Sequence, residues 1–193
     1  SVFLHQLGYN VLGVDLSEES ILHNKNFEVE ETPKLEFKVH DMRNELFPEI
    51  SLEKVNAVFN LFTSFGYFDD ENDDRKVFQS VKNTLEKDGI FILDFLNEKF
   101  VKNTLVEEST INKGGIDFTI KKRIEENYVI KDIFFEDHDE KFHYFEKVKL
   151  STLEQIQSLA ESCGFKTIKI WGNYNLEAFD RETSPRCIFE FRI

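Results

Sequence analysis

The chain has 193 residues, enough for one domain with a small insertion, and it carries 21 Phe, so its core should be rich in aromatic rings. A formal net charge of −13 disfavours nucleic acid and anionic membrane surfaces as partners, while a small or cationic ligand stays open. Cys163 and Cys187 are far apart without metal-ligand spacing and read as reduced structural thiols of a cytoplasmic protein. No apolar run is long enough to cross a bilayer, and nothing has the pattern of a signal peptide.

Val2, Phe3 and Leu7, followed by Gly8 as a stop, predict the tail of a helix. Asn10–Asp15 is a short apolar strand, and Ser17 is placed to cap a helix with Glu18 and Glu19 in its first turn. Leu35–Val39 alternates as a strand and runs into His40, Asp41 and Met42. Val55–Phe62 is a buried strand, and the acidic stretch Asp69–Asp74 opens a helix along which Val77, Val81 and Leu85 recur until Gly89. Ile90–Asp94 is a further strand. Apolar strands alternating with helices predict an α/β, doubly wound sheet.

The pattern then changes. Ile116–Ile124, Asn127–Glu136 and Lys141–Leu150 alternate as strands between polar turns, which predicts a small antiparallel insert over residues 104–150 of a single domain, 1–193. Ser151, Thr152, Leu153 and Glu154 read as a capping box. The helix it opens has Leu153, Ile156, Leu159, Ala160 and Cys163 on one face, and Gly164 ends it. Two last strands, Lys166–Tyr174 and Arg186–Arg192, complete the chain.

Ligands of an open parallel sheet bind beyond the carboxyl ends of its strands, here Asp15, Asp41, Asn60–Ser64 and Asp94–Asn97. A carboxylate at Asp15 either accepts both hydroxyls of a ribose or caps the helix beside Ser17. Asp41 either accepts from an adenine amine, with the Met42 amide on a ring nitrogen, or is an exposed loop acid. The segment Asn60–Tyr67 mixes aromatic and small polar residues, which suits a pocket around a reactive group, although Phe62 and Phe65 also suit a core. None of the five histidines has the spacing for metal ligation or a nucleophile triad, so no metal is expected. His138 and His143 flank a turn of the insert, as solvated residues or as candidate bases.

Together these pieces resemble the class I S-adenosylmethionine-dependent methyltransferases, in particular bacterial small-molecule enzymes with an antiparallel insert. HQLGYNVLGVDLS is similar to their first helix, second strand and ribose-binding acid. VHDMR is similar to the adenine-side loop, NLFTSFGYF to the fourth-strand motif, and LEKDGIFILDFLN to the fifth strand. SLAESCGFK, the late SPR and the final strand resemble the last helix and reversed terminal hairpin. The resemblance implies a Rossmann-like fold and S-adenosylmethionine as cofactor, held by Asp15, Leu16, Asp41, Met42, Asn60, Leu61 and Phe62. It also implies a strand and a Gly-rich loop upstream of Ser1.

The expected activity is methyl transfer to a small-molecule acceptor by a monomer or homodimer. Tyr67, His138 and His143 are candidate bases, and Phe65, Tyr67, Tyr144 and Trp171 are candidate walls of the acceptor pocket. Asp15 equally suits an NAD-dependent oxidoreductase, and the same fold could serve a non-catalytic binding protein.

Overall fold

The computed structural model describes residues 1–51 and 53–193. It opens with α1 (Val2–Gln6), β1 (Val11–Asp15) and α2 (Glu18–Asn24). Ser17 caps α2, its hydroxyl oxygen accepting from the Ser20 amide at 3.1 Å. β2 (Leu35–Val39) runs parallel to β1, with Val11 opposite Leu35 and Asp15 opposite Val39. Ile21, Leu35 and Phe37 form a small core of their own beside this pair.

The larger sheet has the order β3 (Val55–Asn60), β4 (Leu85–Leu96), β10 (Arg186–Arg192), β9 (Lys166–Trp171). β3 and β4 are parallel, whereas β10 is antiparallel to both of its neighbours, which is the reversed terminal hairpin. α3 (Glu71–Thr84) and α5 (Leu153–Ser162) give Val77, Phe78, Ile156 and Ala160 to the main core, which they share with Phe91, Leu93, Phe95, Phe189 and Phe191 of the sheet. Phe78 meets Phe65, Phe91, Phe165 and Phe191 edge-on, with centroids 5.5 to 5.9 Å apart.

After α4 (Glu98–Thr104) the chain forms an antiparallel sheet in simple chain order: β5 (Glu108–Lys113), β6 (Ile116–Glu125), β7 (Tyr128–Asp137) and β8 (Glu140–Lys149). The strand period of two puts Phe118, Phe135, Phe142 and Tyr144 on one face, where Phe135 lies 4.8 Å from both Phe118 and Phe142. Val148, at the other end of that face, is buried in the main core. The Lys149 amide donates to the Gly66 carbonyl at 2.8 Å and fastens the sheet to the segment leaving β3.

Four local expectations are corrected. α3 stops at Thr84 rather than at Gly89, because Leu85 already pairs with Val55 and the register shifts before Ala57 meets Ile90. The capping box is one residue later: the Thr152 hydroxyl oxygen accepts from the Gln155 amide and the Gln155 side chain accepts from the Thr152 amide, while Ser151 is buried. β3 ends at Asn60 and not at Phe62, since Phe62 and Thr63 take positive φ. β9 ends at Trp171 and not at Tyr174. α4 and β5 are additions that the sequence pattern did not announce.

Candidate active site

The carboxyl ends of β1, β2 and β3 are tied along one rim. The His40 amide donates to the Asp15 carbonyl at 2.9 Å, and the Asn60 side-chain amide reaches Met42 Sδ at 3.7 Å. Arg43 extends the rim to α3 through Asp73 at 3.1 Å. Asp15, Met42 and Asn60 therefore lie in sequence around one edge of the fold.

Asp15 is exposed, and its Oδ1 accepts from the Ser17 amide at 2.8 Å. Among the described residues its Oδ2 takes no donor. Leu16 beside it is 67% exposed, an apolar surface next to a free acceptor. Asn60 Oδ1 is buried without a hydrogen-bond partner among the described residues, an arrangement that asks for a donor from outside the protein. The free carboxylate oxygen and the orphaned amide oxygen fit a ligand that brings hydroxyl and N–H donors, as a nucleoside joined to an amino acid does.

Asp41 does not fit its expected part as it stands. Both of its oxygens are held by Arg43, at 3.0 Å from the amide and 2.5 Å from Nη2. This hydrogen-bonded guanidinium lowers the Asp41 carboxyl to about 2. The lone pairs assigned to an adenine amine are already engaged, so Asp41 shapes the loop and leaves Met42 to face Asn60.

The next part of the rim is the exit from β3. Phe62 and Thr63 have φ of 60° and 62°, a region that a β-branched or bulky residue seldom enters. Asp94, fully buried at the carboxyl end of β4, receives three donors around this turn. They are the Phe62 amide and the Tyr174 hydroxyl, each at 2.8 Å, and Arg186 Nε at 2.7 Å. Arg186 Nη2 also donates to Thr63 Oγ1 at 2.7 Å. The Phe62 ring is 75% exposed and lies 6.0 Å from the Tyr174 ring, so two aromatic side chains face solvent above the buried ion pair. Leu61 adds a carbonyl that accepts from the Ser64 hydroxyl at 2.9 Å.

Other expected residues separate from this rim. Phe65 is a core residue, 1% exposed between Phe78 and Phe95, which corrects its place as a wall of the acceptor pocket. Tyr67 is half-exposed, and its phenol is raised by burial and, secondarily, by the charge of Glu146. His138 stands in the β7–β8 turn, 91% exposed beside Asp137, and is a solvated turn residue. His143 lies on the insert, stacked on Phe134 and bonded to Asp132 at 2.7 Å. Tyr144 is on the opposite face of the insert from His143, beside Phe135. Trp171 ends β9 under Lys169, whose ammonium is 5.2 Å from the ring.

The reading of the residues missed Tyr174 and Arg186. One signal was available: an Asp inside the apolar run Ile90–Leu96 needs a buried partner, and Arg186 opens the strand that pairs with that run.

This arrangement, with a reversed antiparallel hairpin beside parallel strands whose carboxyl ends carry the polar rim, is the fold of the S-adenosylmethionine-dependent methyltransferases. Residues 1–93 match the family model described as a methyltransferase domain. Among solved structures, the chain is similar to an S-adenosylmethionine-dependent methyltransferase from Clostridium acetobutylicum ATCC 824, at 19% identity and a TM-score of 0.81 over 95% of this chain and 75% of that one. It is also similar to the CcbJ methyltransferase from Streptomyces caelestis, at 13% identity and a TM-score of 0.80 over 98% of this chain and 76% of that one. A third is CalS10, an amino pentose methyltransferase from Micromonospora echinaspora, at 13% identity and a TM-score of 0.71 over 99% of this chain and 77% of that one. No curated protein matches the chain.

Proposed function

We propose that the protein is an enzyme that transfers a methyl group from S-adenosylmethionine to a small-molecule acceptor. The observation that carries this reading is the pair of unpartnered acceptors on one rim, Asp15 Oδ2 and the buried Asn60 Oδ1, in a chain with a methyltransferase fold. When bound, S-adenosylmethionine supplies a sulfonium-activated methyl group. Asp15 accepts from the ribose hydroxyls, Leu16 and Met42 line the adenine side, and Asn60 with Leu61 takes donors from the amino-acid part. Phe62 stands at the acceptor side with Tyr174, where apolar rings exclude water and hold an acceptor in line. A general base is needed only for an acceptor that arrives protonated.

CalS10 acts on an amino pentose, and this reading places a small polar acceptor of that general size in the same position here. The charge of −13 fits a small-molecule acceptor better than a nucleic acid. Cys163 and Cys187 are free and buried, which fits a reducing compartment, and we assign the protein to the cytoplasm.

Calorimetry with S-adenosylhomocysteine tests the cofactor assignment. Binding is expected, and Asp15→Ala should weaken it by about tenfold to a hundredfold, the effect of losing hydrogen bonds to a charged acceptor. Undiminished binding by that variant would remove Asp15 from the ribose. Radiolabelled methyl transfer to a panel of amino sugars and simple amines then tests the acceptor class.

A further inference from the structure

We propose that Asp94, Arg186 and Tyr174 are positioning residues for methyl transfer: together they hold the Phe62–Thr63 turn in its left-handed form and so set the acceptor-side wall. The inference rests on the methyltransferase reading above and extends it to residues from three separate parts of the chain. Asp94 belongs to β4, Arg186 to the start of β10, and Tyr174 to the loop after β9.

Two successive residues at positive φ are ordinary in a hairpin turn such as His138–Asp139, but a bulky Phe followed by a β-branched Thr outside a hairpin needs surroundings that fix them. Here the constraint is visible atom by atom. The Phe62 amide donates to Asp94 Oδ2, and the Thr63 hydroxyl oxygen accepts from Arg186 Nη2, so each residue of the turn is held by one half of the same ion pair. Tyr174 donates to the oxygen that also accepts from Phe62, which brings its ring to the Phe62 ring. The carboxylate is fully buried and the guanidinium partly so, at 0% and 15% side-chain exposure, and the planar guanidinium serves Asp94 and Thr63 at once. A lysine ammonium in its place would reach one of these partners and lose the fork.

The wall created this way is exposed on its ligand side and rigid on its protein side. Binding energy then need not be spent ordering Phe62 when an acceptor arrives. Asp94 and Arg186 lie beneath the two exposed rings, so their effect acts through Phe62 and Tyr174, and the Tyr174 hydroxyl acts through the same network.

The test uses the full chain carrying para-fluorophenylalanine at position 62 alone, observed by fluorine NMR, in the parent, Tyr174→Phe and Arg186→Lys proteins. Tyr174→Phe removes one hydroxyl and keeps the ring, so it is the variant that folds even where Asp94→Asn does not. A single line is expected in the parent, and a broadened or split line in both variants, with circular dichroism unchanged. An unaltered single line in both variants would overturn the proposal.

With an amine acceptor from the screen above, Tyr174→Phe should lower kcat by roughly tenfold or more, as misplacement of a reacting group does. Its affinity for S-adenosylhomocysteine should equal the parent's; a parallel loss of that affinity would show a general structural role and overturn the positioning one. Should the parent itself fail to bind S-adenosylhomocysteine, the methyltransferase reading falls, while the fluorine spectra still decide whether these residues hold the turn.

Discussion

Phe78 shows how much of this fold depends on single aromatic side chains. Its ring is fully buried and is flanked by four other phenylalanines drawn from β4, β10 and the segments next to β3 and α5. Phe78→Ala should therefore cost about 3–5 kcal/mol, the range for emptying a buried aromatic site, measured by chemical denaturation. Asp74, also on α3, presents the opposite case. It is buried, its Oδ1 has no partner among the described residues, and the Lys149 ammonium is 3.8 Å from its Oδ2. Burial raises its carboxyl to about 6, against the partial relief given by Lys149. The folded chain then holds a proton that the unfolded chain has already released, so Asp74 costs stability as pH climbs from about 4 through 6. Asp74→Asn should gain on the parent by about 1 kcal/mol, or roughly 3 °C in Tm, between pH 5 and pH 8. A constant difference across that range would place the cost elsewhere. Cys187 is pushed up to about 12 by burial, so it should resist thiol reagents in the native protein and react after unfolding.

Elements join through a few backbone contacts whose loss can be measured. Gly66 has φ of +94°, and a Cβ there would come within 2.8 Å of the Phe95 ring. Its carbonyl also accepts the Lys149 amide that fastens the insert. Gly66→Ala should destabilise the protein by about 2 kcal/mol through strain and overpacking, read as a lower denaturation midpoint. Elements with an apolar period and a cap were legible in the sequence: β1 with the Ser17 cap, β2, and α5 with its one-residue shift. α4 was not, since no residue of it is buried and so no apolar face marks it. β5 was not, since it is an edge strand exposed along nearly its whole length. At the candidate site, the positions of Asp15 and Asn60 on the rim follow from strand ends alone. The Asp94 network does not, because it joins residues 62, 63, 94, 174 and 186 by tertiary contact. Asp41 shows a different limit: Arg43 stands two residues away in plain sight, yet spacing does not reveal that both oxygens turn to it.

For the whole molecule, the net charge of −13 is large enough to oppose compaction by self-repulsion. Raising sodium chloride from low to physiological ionic strength should screen that repulsion and raise Tm. A fall in Tm would instead mean that the surface ion pairs outweigh it. The two larger sheets also differ in how far apart in the chain their partners lie. The strands of the insert pair in chain order, whereas β10 reaches its partner β4 across the insert and α5. Local pairing closes quickly and distant pairing slowly, so pulse-labelled hydrogen exchange should find the amides of β6 to β8 protected before those of β10. Arg186 is the first residue of β10. The Phe62–Thr63 turn is therefore locked only when the last strand docks between β4 and β9, and completion of the fold and fixing of that turn become one kinetic event.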